Sequence, residues 1–210
     1  YRHDAQRSGA AACDVPAKIS EQWQVPLKSR LTPPVVSGNR VYVATRDVHT
    51  LNAFDVVDGQ RLWRFTAGGR IDSPPSVYGG LVLFGCVDGR VYCLRASDGE
   101  LVWRFTAAPS EKSIVAFGQL ESPWRVHGSV LMKDGIAYFT AGRSTYLDGG
   151  IRVFGLDATT GKVLYETCLD TWARTREDAE NKPFIPGYHM EGASSDILVS
   201  EGDFIYLGQY

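Results

Sequence analysis

Residues 59–67 read GQRLWRFTA and residues 99–107 read GELVWRFTA, one nonapeptide in outline, repeated after 40 residues. Trp63 and Trp103 head the shared WRFTA, and Trp23 lies a further 40 residues upstream in EQWQVPL (21–27). Asp58-Gly59 returns at the same offset as Asp98-Gly99. Further out, Pro33-Pro34-Val35-Val36 recurs as Pro74-Pro75-Ser76-Val77, one residue out of phase. The slip is taken up where RDVHTLNAF replaces the shorter VDGRVYCL. A period of this length marks a repeat architecture.

Each full repeat holds four apolar runs, in the second copy at 74–78, 81–86, 90–95 and 100–106, divided by Gly-Gly, Asp-Gly and Asp-Gly. Alternating apolar runs joined by Asp-Gly predict hairpins with type I′ turns, which need positive φ at both central residues. No window over 30–170 sustains a capped 3.6-residue period. Four up-and-down strands in about 40 residues is the arithmetic of a propeller blade. The sequence therefore predicts an all-β chain, a β-propeller of four-stranded antiparallel blades. Blades are expected over 30–68, 69–108 and 109–170, the last more divergent. Residues 1–29 supply a lead-in and one outer strand of a shared closing blade, and 171–210 an insertion followed by the first half of a further blade. That makes an incomplete ring of about three and a half blades plus one N-terminal outer strand, where closed rings have 4–8. The remaining blades are expected from the rest of a longer chain, with ring closure by an oligomer as the alternative.

A flat indole on an outer strand buries much apolar surface when it lies over a residue without a side chain. AFDVVDGQRLW (53–63) supplies small Ala53, Asp55 to bond turn amides, bare Gly59, and Trp63. The second copy has Cys93 and Arg95 at the first two positions but keeps Gly99 and Trp103; the third has Gly155, Asp157, Thr160 and Gly161, with Tyr165 in place of Trp. This series resembles the tryptophan-docking motif of PQQ-type (quinoprotein-like) β-propeller repeats over residues 20–170, with Asp58 where the motif has Thr. The opening YRHDAQRSGAA is similar to the lead-in of outer-membrane assembly lipoprotein propellers. AGRSTYLDGGIRVFGLDATTGKVL is similar to large bacterial envelope proteins with such repeats. The resemblance implies the fold and a periplasmic or secreted protein of the bacterial envelope. It supplies no reaction, because propellers host many activities.

With 22 Lys and Arg against 24 Asp and Glu, net charge −2, the 210-residue chain has no basic excess to draw nucleic acid. No apolar run approaches the ~20 residues of a membrane-spanning helix. Cys13, Cys86, Cys93 and Cys168 fit no zinc spacing and read as buried thiols, with a disulfide as the alternative. Neither a nucleophile elbow nor a phosphate-binding glycine loop is present. Quinoprotein enzymes of this resemblance use PQQ with calcium and often a disulfide between adjacent cysteines. This sequence has no adjacent cysteine pair and no alignable carboxylate cluster. No catalytic residue, metal or cofactor is therefore expected, PQQ with calcium standing as the alternative. The expected function is a non-catalytic scaffold binding a partner protein, peptide or polysaccharide; the alternative is a quinoprotein-type dehydrogenase or a non-catalytic part of a larger enzyme.

The segments leading into each blade should reach the central channel. They carry Arg30, then Arg70 and Asp72, then Trp124, Arg125 and His127, then His189 and Glu191. A mouth lined by Arg70, Asp72, Trp124, Arg125, His127, His189 and Glu191, with Trp124 as an aromatic platform, is the candidate ligand site. The competing reading is of ordinary rim residues. His3 and His49 read as solvated. Two insertions, 108–122 and 171–191, the latter with a charged run TREDAENK of short-helix character, break the repeat near this face and read as binding loops.

Overall fold

The apolar runs of the repeat become central strands buried on both sides, which explains why they are nearly continuous. The computed structural model describes residues 17–171 and 197–207. The first blade consists of β1 (Val35–Ser37), β2 (Arg40–Thr45), β3 (Thr50–Asp55) and β4 (Arg61–Thr66). The second has β5 (Ser76–Tyr78), β6 (Leu81–Gly85), β7 (Arg90–Arg95) and β8 (Leu101–Thr106). A separate hairpin of β9 (Ile114–Ala116) and β10 (Gln119–Glu121) intervenes. The third blade follows as β11 (Leu131–Lys133), β12 (Ile136–Ala141), β13 (Ile151–Asp157) and β14 (Val163–Leu169), then a hairpin of β15 (Val199–Glu201) and β16 (Phe204–Tyr206). The three four-stranded sheets are antiparallel meanders in chain order. This is the all-β, incomplete propeller that the repeat predicts.

Side-chain alternation welds the blades face to face. In the second blade Val82, Phe84, Tyr92 and Leu94 point into one core with Tyr42, Leu51 and Trp63 of the first blade. The intervening Leu83, Val91 and Cys93 point the other way, into a core with Met132, Phe139 and Phe154 of the third. Phe84 and Tyr92 stack at 5.3 Å, as do Phe139 and Phe154. Among the described residues Cys86, Cys93 and Cys168 are free thiols, and burial pushes the Cys93 thiol up to about 12. Cys13 lies outside the described residues.

The tryptophan lock is a contact between successive repeats. Trp23 lies over Gly59, Trp63 over Gly99 and Trp103 over Gly161: a Cβ on each glycine would meet the ring at 2.6–2.7 Å. Each indole N–H donates to a carbonyl of the next blade's turn: Trp23 to Val56 (2.9 Å), Trp63 to Ala96 (3.0 Å), Trp103 to Ala158 (2.9 Å). Within a blade, Ala53, Cys93 and Gly155 pair with Trp63, Trp103 and Tyr165, and a bulge follows each pair. Asp55 and Asp157 bond their turn amides, while Arg95 instead pairs with Asp98 at 3.2 Å. Tyr165 stacks back on Tyr138 of its own sheet, ring centroids 6.4 Å apart.

Three expectations change at this level. Residues 21–27 form no strand ladder among the described residues, although Trp23 is locked in place. The Asp88-Gly89 and Asp98-Gly99 turns are hairpin turns but not type I′. Gly89 and Gly99 have positive φ while Asp88 and Asp98 do not, so a longer loop with one left-handed residue replaces the two-residue turn. The insertion at 108–122 contains the ordered hairpin β9–β10.

Candidate functional site

Up-and-down strands place every connector between blades at one end of the sheets, together with the β2–β3, β6–β7 and β12–β13 loops. There the connectors repeat a tripeptide of Arg, aliphatic and polar residue: Arg30-Leu31-Thr32, Arg70-Ile71-Asp72 and Arg125-Val126-His127. The three arginines are structurally equivalent. Their carbonyls accept from the amides of Arg46 (2.8 Å), Val87 (3.1 Å) and Gly142 (3.2 Å), each just beyond the second strand of its blade. Ile71 and Val126 anchor the segment in the inter-blade cores, which leaves the flanking polar side chains at the mouth.

These side chains form a chain of ion pairs across three blades. Arg46 donates from Nε (3.0 Å) and Nη2 (2.7 Å) to Asp72 Oδ1. Arg70 donates from Nε to Oδ1 (2.7 Å) and from Nη2 to Oδ2 (3.0 Å) of the same carboxylate. Arg70 Nη2 also lies 2.6 Å from Glu121 Oε1, and Arg125 Nη1 donates to Glu121 Oε2 at 3.1 Å. His127 Nδ1 approaches Asp72 Oδ2 at 3.5 Å. The Ser73 hydroxyl donates to the His127 carbonyl and ties two connectors together. The first connector is simpler, with Arg30 paired to Asp47 at 2.7 Å.

Burial divides the centre of the chain, Arg70 included, from its ends. The Asp72 and Glu121 side chains are 2% and 0% exposed, whereas Arg46, Arg125 and His127 reach solvent at 30%, 24% and 44%. Burial works to raise the Asp72 carboxyl, but hydrogen bonds from His127, Arg70 and Arg46 outweigh it and hold the group far below the usual carboxylate range. The bond to Asp72 likewise raises Arg70 above its ordinary value. The buried acids therefore orient the arginines, and the guanidinium groups of Arg46 and Arg125 are left facing water.

Arg70, Asp72, Arg125 and His127 thus come together as the sequence places them. Trp124 does not stand open at the mouth. It packs against the second inter-blade core and donates its indole N–H to the Asp148 carbonyl at 2.9 Å. His189 and Glu191 lie outside the described residues, as does His3. His49 is half-buried, its Nε2 lying 3.1 Å from Gln119 Oε1 of the β9–β10 hairpin. Arg46 and Glu121 are members that the repeat comparison does not single out. Phe117 is a third: its ring lies 5.3 Å from the Arg70 guanidinium.

A quinone held with calcium needs 6–8 oxygen ligands around the ion. Among the described residues no group of three or more His, Cys, Asp and Glu is placed to hold a metal ion. Asp72 and Glu121 are each engaged by two arginines, so the described part of the mouth does not fit that group.

Comparison with known proteins identifies the repeat. Residues 17–134, more than half of the chain, match the PQQ-type repeat family described as outer membrane protein assembly factor BamB. A curated relative, the dehydrogenase subunit of alcohol dehydrogenase (quinone) from Gluconobacter oxydans, is 30% identical over 185 residues, covering 81% of this chain and 21% of that protein. The outer membrane protein assembly factor BamB of Nitrosomonas eutropha is 28% identical over 102 residues, 49% of this chain and 25% of that protein. Quinohemoprotein alcohol dehydrogenase ADHIIG from Pseudomonas putida HK5 superposes with a TM-score of 0.53 at 19% identity, over 65% of this chain and 20% of its own, a likeness of fold. The chain spans about a quarter or less of these proteins.

Proposed function

Because this chain belongs to the PQQ-type propeller-repeat family described as outer membrane protein assembly factor BamB, we propose that it is a non-catalytic scaffold of the bacterial envelope that binds an anionic partner at its channel mouth. The observation that carries this reading is the division of charge: both carboxylates are buried and doubly paired, and Arg46, Arg125 and His127 turn outward. Arg is a donor only, so the guanidinium groups of Arg46 and Arg125 take acceptors, best a carboxylate met in bidentate fashion. Three guanidinium groups against two carboxylates leave the cluster with a surplus cation. Binding should therefore weaken with salt.

Titration with polyglutamate, polygalacturonate and neutral dextran, each at low and high salt, tests the proposal. Salt-sensitive binding of the two polyanions, lost when Arg46→Gln and Arg125→Gln are combined, is expected. Absence of binding by every polymer, or equal binding of dextran, overturns it.

A second reading, in which the chain is part of a quinoprotein dehydrogenase, is favoured by the relative that covers 81% of it. Its test is the absorbance of PQQ added with calcium ions. A shifted spectrum that persists through gel filtration would replace the first reading with this one.

A further inference from the structure

The β9–β10 hairpin interrupts the repeat and hangs over the mouth, and its residues divide cleanly between two faces. Ile114, Ala116, Gln119 and Glu121 face inward: Glu121 is bound by Arg70 and Arg125, and Gln119 meets His49. Val115 and Leu120, cross-strand partners, face outward at 77% and 69% exposure. The tip is Phe117-Gly118 with φ of +49° and +73°, the positive pair of a type I′ turn. The two-residue turns between β5 and β6 and between β11 and β12 meet that demand with Gly79-Gly80 and Asp134-Gly135. A bulky Phe is a poor occupant of the left-handed region. Phe117 is also 79% exposed, and only one side of its ring is engaged, against Arg70. Asn or Gly would meet the conformation of the turn without exposing a ring to water.

We infer that this hairpin and the adjoining arginines dock an extended acidic peptide segment of a partner protein, one in which carboxylates alternate with apolar side chains. The inference rests on the anion-binding reading above and adds the apolar half. In an extended peptide successive side chains point to opposite sides. A segment that crosses the hairpin at its Phe117 tip brings carboxylates to the solvent-facing guanidinium groups of Arg46 and Arg125 and lays apolar side chains over Val115, Phe117 and Leu120. Charge complementarity selects the acidic partner, since Asp72 and Glu121 are buried among three guanidinium groups, of which Arg46 and Arg125 reach solvent. The aliphatic pair Val115 and Leu120 selects a peptide over an acidic polysaccharide, whose rings would be served by aromatic platforms. Apolar contacts beside a desolvated guanidinium have the composition of a binding hot spot.

Fluorescence anisotropy with three short labelled peptides tests this: Glu alternating with Val, Glu alternating with Ser, and Lys alternating with Val. The Glu–Val probe should bind at least about tenfold more tightly than either other probe. Phe117→Asn suits the left-handed turn better than Phe, so this variant should melt at or above the parent temperature. It should nevertheless remove most of the Glu–Val advantage and leave Glu–Ser affinity in place. Val115→Thr combined with Leu120→Thr should act the same way, and Arg125→Gln should weaken both acidic probes. Equal affinity for Glu–Val and Glu–Ser, untouched by Phe117→Asn, would sink the peptide inference while leaving the anion-binding scaffold standing. If neither acidic peptide nor polyanion binds, both fail together.

Discussion

Gly99 shows how much of this fold is decided by one missing methyl group. Its φ is +76°, and a Cβ there would lie 2.6 Å from Trp63 Cδ2 and Cε3. Alanine would thus meet two costs, the left-handed backbone and a ring that is already fixed by its bond to the Ala96 carbonyl. Gly79 separates the two effects. Its φ is +54°, yet nothing lies within 4 Å of where its Cβ would sit. Gly79→Ala should therefore cost about 1 kcal/mol from the backbone alone, and Gly99→Ala about 3 kcal/mol. Urea denaturation of the two variants checks the difference; equal costs would mean that the Trp63 ring yields freely and the lock is not tight. Asp58-Gly59 and Asp98-Gly99 announce these positions in the sequence, and their identity as lock sites was legible. That each glycine lies under the tryptophan of the preceding repeat was not, because a single motif contains both parts of two different locks.

At the scale of elements, strands and connectors differ in how plainly the chain declares them. Strands β6 and β7 were readable because alternate residues serve two neighbouring cores, which makes the run almost wholly apolar. The β9–β10 hairpin was not, since its strands have three residues each and its tip holds Phe117 where a turn residue is expected. The connectors were legible through their register, so Arg70, Asp72, Arg125 and His127 emerge from comparing repeats. Arg46 lies in a loop of irregular length, and Glu121 in an insertion without counterpart, so neither has a repeat position to betray it. The connector into the second blade also carries a pH dependence. Asp72 has its folded pKa depressed below the unfolded value near 4, so its stabilisation is complete above about pH 4 and falls away as acid protonates it. Asp72→Asn should remove that contribution and leave Arg46, Arg70 and Arg125 with Glu121 as the one carboxylate of the chain, at a cost of about 3 kcal/mol at neutral pH. The variant's stability should accordingly fall less steeply than the parent's between pH 4 and pH 2, in urea midpoints taken across that range. Parallel slopes would show that Asp72 is not the group that titrates.

Across the whole molecule, two kinds of bond hold successive blades together, and they should respond differently to combined substitution. The locks are nearest-neighbour contacts of the sort that make repeat stability a sum of separate interfaces. Trp23 over Gly59 and Trp103 over Gly161 share no partner and belong to different blade junctions. Trp23→Phe and Trp103→Phe, each deleting one indole bond, should therefore add to within about 0.5 kcal/mol. The ion-pair chain is a different case, because Arg46 and Arg125 are joined through Asp72, Arg70 and Glu121. Removing either terminal arginine leaves two cations against two buried carboxylates, which still balance. Removing both leaves Arg70 alone between two acids that are nearly inaccessible to water, and an uncompensated buried charge is far costlier than a lost exposed one. The double variant Arg46→Gln, Arg125→Gln should thus be destabilised beyond the sum of the single variants by more than about 0.5 kcal/mol. Urea midpoints of the four proteins in the cycle measure that excess. Strict additivity would resolve the chain into independent pairs, and the mouth would then bind as separate arginines rather than as one charged unit spanning three blades.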